Sequence, residues 1–446
     1  QRLIVVRRRR RRWQTGFWHP REPQGARIKG CVKREDIAGA QGASSRPMWE
    51  TLEGMVREKA QEFIQEIMEE EVTELLGRAK SERRSAVDSA EGYRNGYGKP
   101  RRLAVSSGTI TLRRPRVRGV EERFESRVLP LFARRTKELG ALLPELYLHG
   151  LAEGDFELAM RGLLGAGAPL SKSSIRRLRA GWTAEFETWS KRSLADRELV
   201  YMWADGIYVK AGLERDKAAL LVVMGAMRDG TKEVLAIAPG YRESTESWSE
   251  VLRDLKARGI GSPRLLMADG NAAIWGAVRE VWPAAGEQRC WNHKMRNVLD
   301  RLPQREQSEA KDLLRAVVYA PSRAEAVEAR EVFARRYRPW YPKAVEVLED
   351  DWERMVAFYD FPEDHWKHLR TTNVVESPFA AVRLRTSAAK RFKRVESATA
   401  LIWKLLLVAE KRFRRLDAPH LLKDVFEGRK FEDGKPVSTQ QRKNAA

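Results

Sequence analysis

The chain has 446 residues, 33% of them charged, and a formal net charge of +22. That length holds roughly two to four domains and a sizeable core, and no apolar run approaches the ~18 residues that span a bilayer. With Cys31 and Cys290 as its only cysteines, the chain has no disulfide framework and a reducing interior is its expected setting. The positive excess points to a polyanion, with nucleic acid ahead of an anionic membrane surface.

Residues 1–47 hold 13 Lys/Arg against 3 Asp/Glu, including the run Arg7 to Arg12. They lack hydrophobic periodicity, and Met48 is the first methionine. The expectation is a disordered basic leader encoded upstream of the true start, with a non-specific DNA-binding tail as the alternative. A secretory signal does not fit, because the short LIVV precedes the arginines and no longer apolar stretch follows.

From Met48 to about Ala79, Leu52, Met55, Val56, Ala60, Phe63, Ile64 and Ile67 recur at helical spacing, which predicts an amphipathic packing or dimer helix. Residues 93–119, YRNGYGKPRRLAVSSGTITLRRPRVRG, contain eight Arg/Lys and no acid. Short alternating runs (Leu103, Val105; Ile110, Leu112) flank the turn Ser106-Ser107-Gly108 and predict a hairpin. Its cations Arg101, Arg102, Arg113, Arg114, Arg116 and Arg118 suit DNA phosphates. A solvated surface hairpin is the plainer alternative, and the absence of acids favours DNA.

Residues 141–180 read as two or three short helices. In the last, Ser171 is a candidate N-cap, Ile175 and Leu178 mark a buried face, and Lys172, Arg176, Arg177 and Arg179 mark an exposed one. With Gly165-Ala166-Gly167 before it, the segment fits a helix-turn-helix as well as it fits a plain helical bundle.

LVYMWADGIYVK, residues 199–210, is a strand-like run with Asp205 near its middle. A bare carboxylate there costs several kcal/mol unless it is paired, hydrogen-bonded or metal-bound. KAALLVVMGAMRDGTKEVLAIA adds two strands joined by Arg228-Asp229-Gly230-Thr231, which makes Asp229 a turn residue. The helix SWSEVLRDLKARG, the strand PRLLMADG ending at Asp269, the helix NAAIWGAVREVW and the strand EQRCW complete a β-β-β-α-β-α-β series. By analogy with the ribonuclease H-like fold, the first and fourth strands lie side by side. Their aspartates then repel unless a hard cation, Mg²⁺ or Mn²⁺, sits between them.

A third carboxylate candidate is Glu376 in HLRTTNVVESPFAAVRLRT, on the first turn of a helix capped by Thr372 or Asn373. Arg383 and Arg385 follow it within reach of phosphates. Any single Glu is weak evidence among 62 acids, and a surface helix-start acid is the plainer role.

The strings WADGIYVK, LLMADGNAAIW, QRCWNHK and HLRTTNVVES resemble the Mutator-type transposases of bacterial insertion sequences. The likeness extends from about Met48 to about Gly434, including RNGYGK, LPELYLHGL and APHLLKDVFEG. It implies a DDE triad at Asp205, Asp269 and Glu376, 64 and 107 residues apart, holding two Mg²⁺ (or Mn²⁺) ions. It also implies a helical insertion in the longer gap, where SEAKDLLRAVVYA and RAEAVEAREVFARRY are amphipathic. Trp340, Trp352 and Trp366 in that region suit core packing better than base stacking. Cys290 and His293 form a Cys-x-x-His pair, but a structural zinc needs four protein ligands and the other cysteine lies in the leader. The resemblance places this pair beside the active site, with His293 contacting the scissile phosphate or positioning the acids, and Cys290 packed in its strand.

The expected fold is α/β, a ribonuclease H-like mixed sheet with a helical insertion, preceded by a mainly helical DNA-binding region. The expected divisions are 1–47 leader, 48–190 DNA-binding region, 195–293 first part of the core, 294–369 insertion, 370–435 last part of the core and 436–446 tail. The expected function is metal-dependent cleavage and strand transfer of double-stranded DNA at the ends of the chain's own insertion sequence. Two ends must meet, so a homodimer or larger assembly on DNA is expected, in the bacterial cytoplasm at the nucleoid and without a membrane partner. The alternatives are a structure-selective nuclease of the same fold and a catalytically silent DNA-binding regulator.

Overall fold

The computed structural model describes residues 48–82, 92–120, 124–129, 135–151, 155–164, 172–211, 218–240, 243–389 and 391–437. The expected leader, the Gly165–Gly167 linker, the cap at Ser171 and most of the tail lie outside them. The chain divides into two compact units, Gln1–Leu52 and Glu53–Ala446. The first helix, α1 (Met48–Leu76), is followed by β1 (Tyr93–Tyr97), β2 (Arg101–Val105), β3 (Gly108–Leu112) and β4 (Pro115–Arg118).

β2 and β3 form the expected hairpin, with Leu103 opposite Ile110. β1 and β4 pair as a second antiparallel ladder, which the polar YRNGY does not announce. Leu103, Val105, Ile110 and Leu112 turn one face inward onto Met68 and Ile64 of α1. Thr111 N and Arg113 N donate to the amide oxygens of Gln61 (2.9 Å) and Gln65 (3.0 Å), so α1 side chains close the free edge of β3. Only part of the expected stripe of α1 faces inward: Met55, Val56 and Phe63 are exposed, whereas Ile64 is packed and Met68, Val72 and Leu76 are buried.

Three helices follow, α2 (Lys137–Leu148), α3 (Phe156–Leu164) and α4 (Lys172–Ser190). The last runs ten residues further than the expected 141–180 region.

The central sheet has the expected series: β5 (Leu199–Val209), β6 (Ala218–Met227), β7 (Lys232–Gly240), α5 (Thr245–Ala257), β8 (Leu265–Ala268), α6 (Ala272–Val281) and β9 (Gly286–Arg289). Its order is β7-β6-β5-β8-β9, antiparallel on one side of β5 and parallel on the other. Asp229 is a turn residue, its Oδ1 accepting from Thr231 N at 2.9 Å. Side chains alternate across a strand, and the two faces accordingly have separate cores. Met202, Ala204, Leu266 and Ala268 pack with Trp248, Leu252 and Trp275 of α5 and α6. Tyr201, Trp203, Leu265 and Met267 pack on the opposite face, in the core that also holds Phe379 and Leu401.

That second core is supplied by α2, α3 and α4 and by the helices that follow the sheet, α7 (Trp291–Leu299), α8 (Gln307–Val318), α9 (Arg323–Tyr337), α10 (Pro342–Glu349), α11 (Trp352–Val356), α12 (Trp366–Leu369), α13 (Asn373–Ala389), α14 (Val395–Glu410) and α15 (Leu421–Phe426), closed by the short pair β10 (Phe431–Glu432) and β11 (Lys435–Pro436). α13 lies against β5, and α14 against α4 and β7. Trp366 is buried and Trp352 meets Trp291 edge-on at 6.3 Å, while Trp340 is 76% exposed. Among the described residues, no helix is long and apolar enough to cross a membrane.

Leu266 is fully buried on a strand with neighbours on both sides. Leu266→Ala should destabilise by about 2–5 kcal/mol through lost burial and the cavity left behind. Denaturant unfolding measures this, and a loss below about 1 kcal/mol would contradict a central position for β8.

Candidate active site

The parity that sorts the two cores also aims the aspartates. Asp205 has the phase of Tyr201 and Trp203, and Asp269 that of Leu265 and Met267, so both belong to the face against which α13 packs. The parallel register sets Trp203 opposite Met267. Two residues further along each chain, Asp205 and Asp269 stand at the same level. Asp205 Oδ1 accepts from Gly206 N at 2.8 Å, and Asp269 Oδ1 accepts from Asn271 N at 2.9 Å.

Glu376 lies in the first turn of α13. Thr372 precedes that helix, but its hydroxyl does not cap a backbone N–H: Oγ1 donates to Glu376 Oε1 and contacts Cys290 Sγ at 3.2 Å. Thr372 N also donates to that sulfur, at 3.3 Å. Cys290 is a fully buried N-cap of α7, not the strand residue expected from the sequence. Its own N donates to Ala268 O at 2.8 Å. Cys290 therefore ties the residue before Asp269 to the residue four before Glu376. One turn on, His293 Nδ1 lies 3.8 Å from Glu376 Oε1 and is buried without a hydrogen-bond partner.

Charge crowding follows from this placement. Burial, then Glu376, then Asp269 push the Asp205 pKa up to about 7, with the Gly206 N–H and His293 opposing. The adjacent Cys290 sulfur, and beyond it Glu376 and Asp269, push the His293 pKa up to about 9 against burial. The imidazolium is thus the local counter-charge at neutral pH. Among the described residues, the ligand-type atoms that all lie within 4.8 Å of one another belong to Cys290, His293 and Glu376, and neither aspartate is in that set.

Several residues at this site were not singled out from the sequence. Glu243 sits directly over Gly206, where any Cβ would collide with its carboxylate, and its Oε2 accepts from Asn271 Nδ2 at 3.2 Å. Burial and Glu243 push the Tyr208 hydroxyl up to about 12. Gly270, at φ +100°, leaves room for the Arg289 guanidinium, which pairs with Asp351 at 2.8 Å. The available signal was the Asp-Gly pair at each aspartate, with a missing side chain beside each carboxylate.

The remaining candidates are dispersed. Arg102, Arg113, Arg116 and Arg118 are exposed along the hairpin, with Arg101 and Arg114 half-buried. On α4, Ile175 is buried, Leu178 and Arg179 are half-buried, and Arg176 and Arg177 are exposed; the side chain of Lys172 lies outside the description. Arg383 is exposed, but Arg385 is only 2% exposed, packed over the Tyr147 ring at 4.0 Å. Arg385, expected within reach of phosphates, is instead covered by Tyr147 of α2.

The family described as "Transposase, Mutator family" matches residues 34–415. The chain is 44% identical over 297 residues to the transposase for insertion sequence element IS6120 of Mycolicibacterium smegmatis, covering 67% of this chain and 92% of that one. It is 42% identical to the transposase for insertion sequence element IST2 of Acidithiobacillus ferrooxidans, covering 63% and 95%. A chain of the Drosophila P element transposase strand transfer complex aligns over 63% of this chain and 82% of that one at 13% identity, with a TM-score of 0.27, too low to bear on the fold. The family match over most of the length, together with relatives this similar, makes the chain a member of the Mutator family of transposases.

Proposed function

We propose that the chain cuts DNA at the ends of its own insertion sequence and joins those ends to a target, using divalent metal held by Asp205, Asp269 and Glu376. One observation carries the reading: Asp205 on β5 and Asp269 just past the end of its parallel neighbour β8 lie near enough to Glu376 that both other carboxylates disfavour ionisation of Asp205. The sheet order supports a ribonuclease H-like core, with an insertion over 294–369 and a DNA-binding region over 48–190. The exposed hairpin arginines and Arg176 and Arg177 suit phosphate contacts. Joining two element ends requires at least two copies of the chain on the DNA.

The carboxylates fit hard cations: they are oxygen donors, and their mutual repulsion is relieved by positive charge. When two Mg²⁺ or Mn²⁺ ions are bound, they supply activation of the attacking oxygen, from water or a DNA 3′-hydroxyl, and stabilisation of the leaving oxygen. The chain's own residues do the positioning. The Gly206 and Asn271 N–H groups orient the aspartates. Thr372 holds one oxygen of Glu376. His293 presents a positive edge beside Glu376, where it can meet a non-bridging phosphate oxygen. No covalent protein–DNA intermediate is required.

The test is to incubate the protein with its own flanking DNA and Mg²⁺ and to map which strands are cut and joined. Asp205→Asn, Asp269→Asn and Glu376→Gln should each lower cleavage and joining by at least about a thousandfold, roughly 4 kcal/mol of transition-state stabilisation, with end binding retained. Asp229→Asn in the turn should remain active. Cleavage by Asp205→Asn would remove the assignment, and cleavage without joining would favour a nuclease.

The site's charge also predicts a pH dependence without metal. The folded pKa of Asp205 is raised, from 3.8 to about 7, so the folded state holds the extra proton and stability falls as pH rises between about 4 and 7. Asp205→Asn lacks this loss, so its melting temperature should rise relative to the parent across that window and stay level above it. A relative fall with rising pH would contradict the crowding of carboxylates.

A further inference from the structure

A cavity of about 920 Å³ lies away from the carboxylates, between α2, α4, the distal part of α13 and the start of α14. Arg176, Arg179, Arg385, Arg391, Lys393 and Arg394 line it, against two acids, Glu187 and Glu396. Arg385 differs from the others in burial. It is 98% buried, its guanidinium lies 4.0 Å over the Tyr147 ring, and Tyr147 is itself held by Phe156 and Trp182 at 6.1 and 5.9 Å. The Nε and Nη1 atoms of Arg385 have no hydrogen-bond partner.

A guanidinium taken out of water carries a large desolvation cost unless an anion answers it, and stacking on a ring recovers only part of that. The start of α14 adds to the demand: its cap residue, Arg394, supplies no side-chain acceptor to the first-turn N–H groups. A guanidinium held on an aromatic face in the wall of a cationic cavity suits the tetrahedral oxygens of a phosphate.

We propose that this cavity is a phosphate-binding site that takes a backbone phosphodiester of bound DNA, with Arg385 as its buried anchor. The assignment of DNA rests on the function proposed above. Arg385 follows Glu376 by nine residues on one helix, on the order of 14 Å, so a strand gripped here is placed relative to the carboxylates by a rigid element. Arg385 is a positioning residue, and the cavity couples α4 to the helix that carries Glu376.

The experiment is a phosphate-interference cycle on the full chain without divalent metal, so that binding is read independently of chemistry. Element-end duplexes carrying one neutral methylphosphonate at successive positions are titrated against the parent and Arg385→Gln. One position should weaken parent binding about tenfold and leave Arg385→Gln binding unchanged, because the contact is already lost. Arg385→Met, which fills the space over the Tyr147 ring without a charge or donor, carries the same comparison if the glutamine variant does not fold. Inorganic phosphate should raise the parent's melting temperature and not that of Arg385→Gln. Equal losses in parent and variant at every position would overturn the proposal. Thermal protection by phosphate without any coupled position would instead assign the cavity to a free anion. Cleavage by Asp205→Asn would refute the active-site reading and leave this cycle untouched.

Discussion

Three carboxylates turned toward one face of a sheet repel each other, and the rest of the architecture can be read as what holds them there. Asp205 is fixed by the length of its strand, with eleven residues in β5 and neighbours on both sides. Asp269 is fixed by a parallel partner in constant register. Glu376 comes from far along the chain, and its placement depends on Cys290, which bonds to both Ala268 and Thr372. The sulfur accepts from Thr372 N and touches its hydroxyl in a fully buried position, a role for which a small polarizable side chain is suited.

β9 and α11 share in this restraint. Arg289, packed on Gly270 beside Asp269, pairs with Asp351, and Arg354 pairs with both Glu287 of β9 and Asp351. The fully buried Lys294 donates to Asp350 O, and burial pulls its pKa down to about 8. A chain of ion pairs thus runs from the edge of the sheet into α11. Breaking one partner would leave a buried charge without its counter-ion, which is costlier than the pair is stabilising. Met355 and Val356 of α11 pack in the core on the face that bears the aspartates.

How far the sequence reveals this depends on the range of each interaction. The strands of the central sheet were legible because apolar runs and turn residues are local signals, and both aspartates stood out as charges inside such runs. Glu376 was a weak candidate by itself, because an acid in the first turn of a helix is ordinary, and the resemblance strengthened it. Cys290 was misplaced in the strand because its capping position depends on contacts 82 residues away. The burial of Arg385 was not legible, since nothing local signals that Tyr147 will lie beneath it. The stripe on α1 followed helical periodicity, yet only part of it faces inward, and β1 and β4 paired without an apolar alternation to announce them.

The central claim is that the aspartates and Glu376 together form a site for divalent cations. Its most direct test is a crystal structure of the full chain soaked with Mn²⁺, with the ion located by anomalous scattering. The account predicts Mn²⁺ bound by oxygens of Asp205 together with Asp269 or Glu376, and His293 within reach of the site as a neighbour. Mn²⁺ held by Cys290, His293 and Glu376 with both aspartates free, or no bound ion at saturating Mn²⁺, would contradict it.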